Sequence, residues 1–159
     1  QISGRRGDTL KYFVLEKQEG NGIPEIVNWY EKLDVRRINR QQHRELPRII
    51  MLDIKIWKED IFPDMLFHPV LLVSQEAMAV IKMYDAEMPY HTVVLMDVDQ
   101  TRSGVYCLPV LEEIRDGEIT ENIPLGFITE RGCKKILVER DLLESLLYRG
   151  MTGVSVKVW

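Results

Sequence analysis

No apolar run in this 159-residue chain approaches the roughly 20 residues of a membrane-spanning helix, so no segment of it reads as one. Cysteine is scarce: Cys107 and Cys133 stand far apart without the spacing of a disulfide framework or a metal knuckle, and reduced thiols with cytoplasmic residence are expected. Proline, glycine and serine nowhere gather into a linker, which points to one domain over 1–159, long enough to bury a core without disulfides or metal. Positive charge is not in excess. With 21 Lys and Arg against 25 Asp and Glu the formal net charge is −4, which argues against binding nucleic acid through a broadly basic surface and would suit a basic protein partner. Neither nucleic acid nor membrane is expected as a partner. The opening QISGRRGD lacks both an initial Met and an apolar signal core, and residues 1–9 read as a flexible, trimmed start.

The motifs of common chemistries are missing too. There is no GxGxxG, no P-loop, no GxSxG and no HExxH, and no cofactor or metal is expected. His43, His68 and His91 lie on three separate segments, each read as a solvated loop or edge position. The best metal set is His91 with Asp97 and Asp99. The two aspartates share a strand face, but His91 is six residues before Asp97, roughly 20 Å away along an extended strand, a poor geometry for one ion. Cys107 is the best nucleophile, with His91 on the neighbouring strand, yet it lies between Tyr106 and Leu108, where a buried and inert thiol is favoured. An enzyme using Cys107, or a metal at Asp97 and Asp99, is therefore the alternative to a binding protein.

What is present is pattern. At the C-terminal end Ile136-Leu137-Val138 forms an apolar run, and Leu142, Leu143, Leu146 and Leu147 then share one helix face. Gly150 stops that helix, and Val154, Val156 and Val158 alternate with polar residues in the period of a half-buried strand. An earlier segment has the same plan: Val70 to Val73, Ser74 as N-cap, the helix QEAMAVIKMY, a break at Met88-Pro89, and a strand from Thr92. Aligned on Val73 and Val138, Ala77 falls on Leu142, Met78 on Leu143 and Ile81 on Leu146. Duplication and the shared physics of such units both account for the match.

Elsewhere strands dominate. Leu10 to Leu15 reads as a first strand ending at the Gly20-Asn21-Gly22 turn. In RIIMLDIKIW, Ile50, Leu52, Ile54 and Ile56 face a core while Met51, Asp53, Lys55 and Trp57 face partly wet surroundings, a habit of antiparallel sheets. Residues 99–104 read as a hairpin loop returning into Val105 to Leu108; 110–114 read as the same strand past a bend at Pro109, with a turn at Asp116-Gly117 and a short strand over 125–129. Between Pro24 and Pro47 the chain reads as an irregular arm that holds Trp29 on the core and carries Arg36, Arg37, Arg40 and Arg44. The fold class is α+β: one domain with a largely antiparallel or mixed sheet and two short helices in two strand-helix-strand units.

The Ile136 to Val138 run, the helix and the ending GMTGVSVKV resemble the closing motif of immunity protein family eleven of bacterial polymorphic toxin systems. LFHPVLLVSQEAMAVIK, Leu66 to Lys82, is similar to that family's proline-strand-serine entry into a helix, and VYCLPVLEEI to one of its strands; the likeness covers 62–159 best. Glu139 and Met151 depart from it, where serine and leucine are commoner. The resemblance implies a cytoplasmic, non-enzymatic protein that neutralises a cognate toxin by binding it; the alternatives are the enzyme using Cys107 or a metal at Asp97 and Asp99, and a regulatory binding module with no toxin partner. Trp29, Tyr30, Asp34, Arg36 and Arg37, polar or aromatic and outside the expected sheet, are the residues we expect to contact that toxin.

Overall fold

The computed structural model describes residues 12–20, 22–99, 102–115 and 123–159. The expected flexible start, the first residues of the first strand, Asn21, the tip of the 99–104 loop and the Asp116-Gly117 turn lie outside them. Eleven strands and two helices occur among the described residues. In the first half these are β1 (Tyr12–Lys17), β2 (Glu25–Val27), β3 (Ile49–Lys55), β4 (Met65–Leu66), β5 (Leu72–Ser74), α1 (Gln75–Tyr84) and β6 (Tyr90–Met96). Then follow β7 (Ser103–Pro109), β8 (Glu112–Glu113), β9 (Leu125–Glu130), β10 (Cys133–Glu139), α2 (Arg140–Tyr148) and β11 (Val154–Val158). Neither helix is long and apolar enough to cross a membrane.

The strands form two mixed sheets, one in the order β11-β1-β10-β9-β8 and one in the order β2-β3-β6-β7-β5-β4. Among the described residues only β3–β6 and β8–β9 run parallel. The 110–114 segment does not extend β7. The chain leaves that sheet after Pro109, which has no amide hydrogen to donate, and β8 joins the other sheet beside β9. The alternation of β3 is as expected, with Ile50, Leu52 and Ile54 buried, but its partner β6 is parallel.

Both strand-helix-strand units are present, and each is split by a strand from elsewhere. In β5-α1-β6 the inserted strand is β7, antiparallel to both neighbours. In β10-α2-β11 it is β1, again antiparallel to both. The correspondence is closer than the apolar pattern alone implied. Cys107 and Tyr106 face Val73 and Ser74, as Phe13 and Tyr12 face Val138 and Glu139. Tyr106 donates its hydroxyl to Pro63 O at 2.6 Å, and Tyr12 donates to Ile123 O at 2.7 Å, each acceptor two residues before the strand that flanks its unit. The Ser74 amide donates to Asp64 O at 2.7 Å and the Glu139 amide to Pro124 O at 2.8 Å.

The aligned core residues share one environment. Val73, Ala77, Met78 and Ile81 are buried in the same cluster as Val138, Leu142, Leu143 and Leu146, together with Leu15, Cys107 and Leu125. One face of each sheet thus looks onto the helix pair. Ser74 caps α1 as expected, accepting from Ala77 N at 3.1 Å. Glu139 makes no side-chain cap bond at α2. The far face of the β1 sheet is closed by Ile114 and Ile123 over Tyr12, Val14 and Leu137. The far face of the β3 sheet is closed by the 28–48 arm, through Leu33 and Leu46 with Trp29, Val35 and Ile38.

Burial holds both tyrosine hydroxyls above their ordinary pKa, most strongly at Tyr106, so each phenol stays protonated and keeps donating. Tyr12→Phe and Tyr106→Phe should each lower stability by about 1–2 kcal/mol, since each strands a carbonyl in a closed space. Exposed Tyr30→Phe should change almost nothing. Urea titration checks all three.

Candidate interaction surface

The arm accounts for every residue expected at the contact. After β2, an edge strand on β3 that the sequence reading missed, the chain makes three short 3₁₀ turns at Trp29–Glu31, Val35–Arg37 and His43–Glu45. Trp29 packs on the core edge-on to Tyr30 and to His68, at ring distances of 5.9 and 6.1 Å. Tyr30 itself is 66% exposed. Asp34 caps the second turn, accepting from Arg36 N at 3.1 Å and from the Arg36 guanidinium at 3.0 and 3.2 Å. Arg37 pairs with Asp34 at 3.4 Å and with Glu45 at 2.8 Å. The Arg36 hydrogen bonds hold the Asp34 carboxyl below its usual range. The structure therefore gathers the five residues on one stretch, but their charges already satisfy one another.

The opposite face of the same sheet is different. Ile49, Met51 and Asp53 on β3 lie in register with Thr92, Val94 and Met96 on β6, and Cys107, Val105 and Ser103 continue these rows on β7. This is the face that looks toward α1, and Cys107 and Val73 are buried under the helix pair. Farther along the same rows the cover stops. Ile49 is 62% exposed, Met51 49%, Tyr90 46%, Val105 44% and Met96 40%. Together with half-buried Val94 they make an apolar area three strands wide. Contiguous apolar surface of this kind, unlike single exposed side chains, marks a place where another surface docks. Its signal in the sequence was the absence of charge at Ile49 and Met51, on the phase of β3 read as partly wet, and at Tyr90, Thr92, Val94 and Met96 on β6.

The residues weighed for catalysis are not assembled. Thr92, not His91, faces Cys107, so the imidazole points through the other side of the sheet. Burial raises the Cys107 thiol pKa, which disfavours a thiolate. His91 is not beside Asp97 either, because its Nδ1 donates to Pro47 O at 2.7 Å. Asp97 is buried, and its Oδ1 accepts from Asp99 N at 3.2 Å. Among the described residues no three His, Cys, Asp or Glu side chains converge as metal ligands do.

Two histidines read as separate loop residues do meet. His43 Nδ1 lies 3.2 Å from His91 Nε2, and the Pro47 bond leaves that Nε2 as the acceptor, so His43 donates. Burial, then the charges of His91, Arg44 and Arg40, holds the His43 pKa below its ordinary value. Nothing local in the sequence joins residues 43 and 91; only the sheet register and the arm do.

A histidine whose folded pKa is depressed binds fewer protons folded than unfolded. Its contribution is intact above the unfolded value of about 6.5 and is lost as pH falls through the folded value. Unfolding midpoints should therefore fall between pH 7.5 and pH 5, and the fall should be smaller in His43→Gln, measured in a buffer without phosphate.

No protein-family model matches the chain, and no curated protein matches it.

Proposed function

We propose that this chain is an immunity protein that binds the toxin domain of a bacterial polymorphic toxin system in the cytoplasm and neutralises it by occlusion. The observation that carries the reading is the open sheet face of β3, β6 and β7. Ile49, Met51, Tyr90, Met96 and Val105, with half-buried Val94, stand there on a hydrogen-bonded frame that no other described segment covers. Burying such a face stabilises a complex by about 25 cal/mol per Å² of apolar surface before the costs of association. The likeness of 62–159 to the immunity family supports the same reading; the matched segments supply the β5-α1 and β10-α2-β11 units, whose helices form the core between the two sheets.

We place the main contact on the open face and not on the arm. Arg36 and Arg37 would have to give up Asp34 and Glu45 to meet a partner, and Trp29 is committed to packing. Tyr30 is the one member of the Trp29, Tyr30, Asp34, Arg36 and Arg37 set that combines an aromatic ring with high exposure. The reading as an enzyme has less to rest on. Cys107 is buried with no imidazole on its side of the sheet, and the Asp97 carboxylate accepts from the Asp99 amide.

The test is co-expression with a candidate toxin domain, followed by pull-down. The protein should restore growth and be recovered in a stable complex. Met51→Asp and Val94→Asp should each weaken binding on the order of 30-fold or more. Arg36→Ala should weaken it less than about threefold, as expected of an exposed ion pair. Rescue without a complex would instead point to an enzyme that reverses the damage.

A further inference from the structure

A second feature lies at the amino ends of the parallel strands β3 and β6. A cleft of about 920 Å³ opens there, lined by Arg44, Arg48, Lys82, His43, His91 and Glu87 among others. The cations come from two separate parts of the chain, the end of the arm and the last turns of α1, and the two strand starts bring them together. Among the described residues Arg44, Arg48 and Lys82 have no carboxylate within ion-pair distance, although Glu87 lines the same cleft. Lys82 Nζ is held over the Tyr90 ring at 5.7 Å and reaches Met88 O at 3.4 Å. In a chain of net charge −4 this local excess is a property of the fold and not of the composition.

The histidine pair gives the cleft an oriented donor. Buried His91 is fixed by Pro47 O, and its Nε2 accepts the His43 Nδ1 proton. The other nitrogen of His43, Nε2, makes no bond among the described residues. A proton taken up there turns it into a second donor while Nδ1–H stays on His91, so the pair can carry an imidazolium provided an anion offsets the surrounding cations. Two guanidinium forks, one ammonium and this imidazole outweigh a single carboxylate and match a dianion with several acceptor oxygens.

We propose that this cleft is a binding site for a phosphate dianion, either free or as the monoester of a small molecule. Arg44 and Arg48 grip its oxygens, Lys82 supplies a point charge, and His43 donates from Nε2. The site does not depend on the toxin-binding reading, and the two can fail separately.

The test is NMR of the His43 imidazole at pH 7 in titrations with inorganic phosphate and with phosphoserine, against sodium chloride at matched ionic strength. Both phosphates should give a saturable shift toward the protonated form, and chloride should not. Tighter phosphoserine binding would identify the ligand as a monoester, and tighter inorganic phosphate as the free ion. Arg48→Ala and Lys82→Met should each weaken binding by about tenfold, as loss of a charge-assisted contact does, with circular dichroism unchanged. Glu87→Gln should tighten it. A shift equal in chloride, no saturation, or the same affinity in both cation variants would overturn the proposal.

Discussion

Everything in this fold depends on two short helices covering one another. A helix of ten residues and one of nine are too short to hold together alone in water. Their stability comes from Ala77, Met78 and Ile81 meeting Leu142, Leu143 and Leu146 in a core that also receives Val73, Cys107, Leu15 and Val138 from the two sheets. Each sheet therefore needs the helix pair, and the pair needs both sheets. The two split units solve the same packing problem with the same contacts, down to the tyrosine hydroxyl that ties each inserted strand to the approach of its neighbour.

Among the described residues, that economy leaves part of a sheet uncovered. Helix α1 spans about 15 Å and packs on β5 and β7. The six-stranded sheet is wider than one short helix, so β3, β6 and the first half of β7 extend beyond it. On the other face the 28–48 arm supplies the missing cover with turns in place of a helix, dropping Leu33, Val35 and Leu46 onto Ile50, Leu52 and Leu95. One face of the sheet is thus closed by the arm, and part of the other is left open by the described residues. The basic cleft at the amino ends of β3 and β6 borders this open area, sharing Ile49, Tyr90 and Thr92 with it.

Much of the frame could be read from local pattern. The alternation of Ile50, Leu52 and Ile54, the Ser74 cap and the aligned apolar positions of the two helices are short-range signals, and the structure contains them as expected. Strand partners were harder, because nothing near Tyr12 states that β1 will enter between β10 and β11. A clue did exist: Tyr12 and Tyr106 each lie at the start of a short apolar run or one residue into it, and each proves to be the anchored residue of an inserted strand. The meeting of His43 and His91 left no local trace, since it arises from pairing across 48 positions. The exposed face was legible only as a lack of charge on one phase of each of two strands, a signal that means little until their register is known.

The most direct test of the account uses the methionine methyl groups. Met51 and Met96 lie on the open face, whereas Met65, Met78 and Met88 are buried in the shared core. Methyl spectra of the selectively labelled protein would be recorded alone and with the toxin domain bound. The account predicts that the Met51 and Met96 signals move while the three buried methyls stay in place. A stable complex in which Met51 and Met96 are unchanged would contradict it.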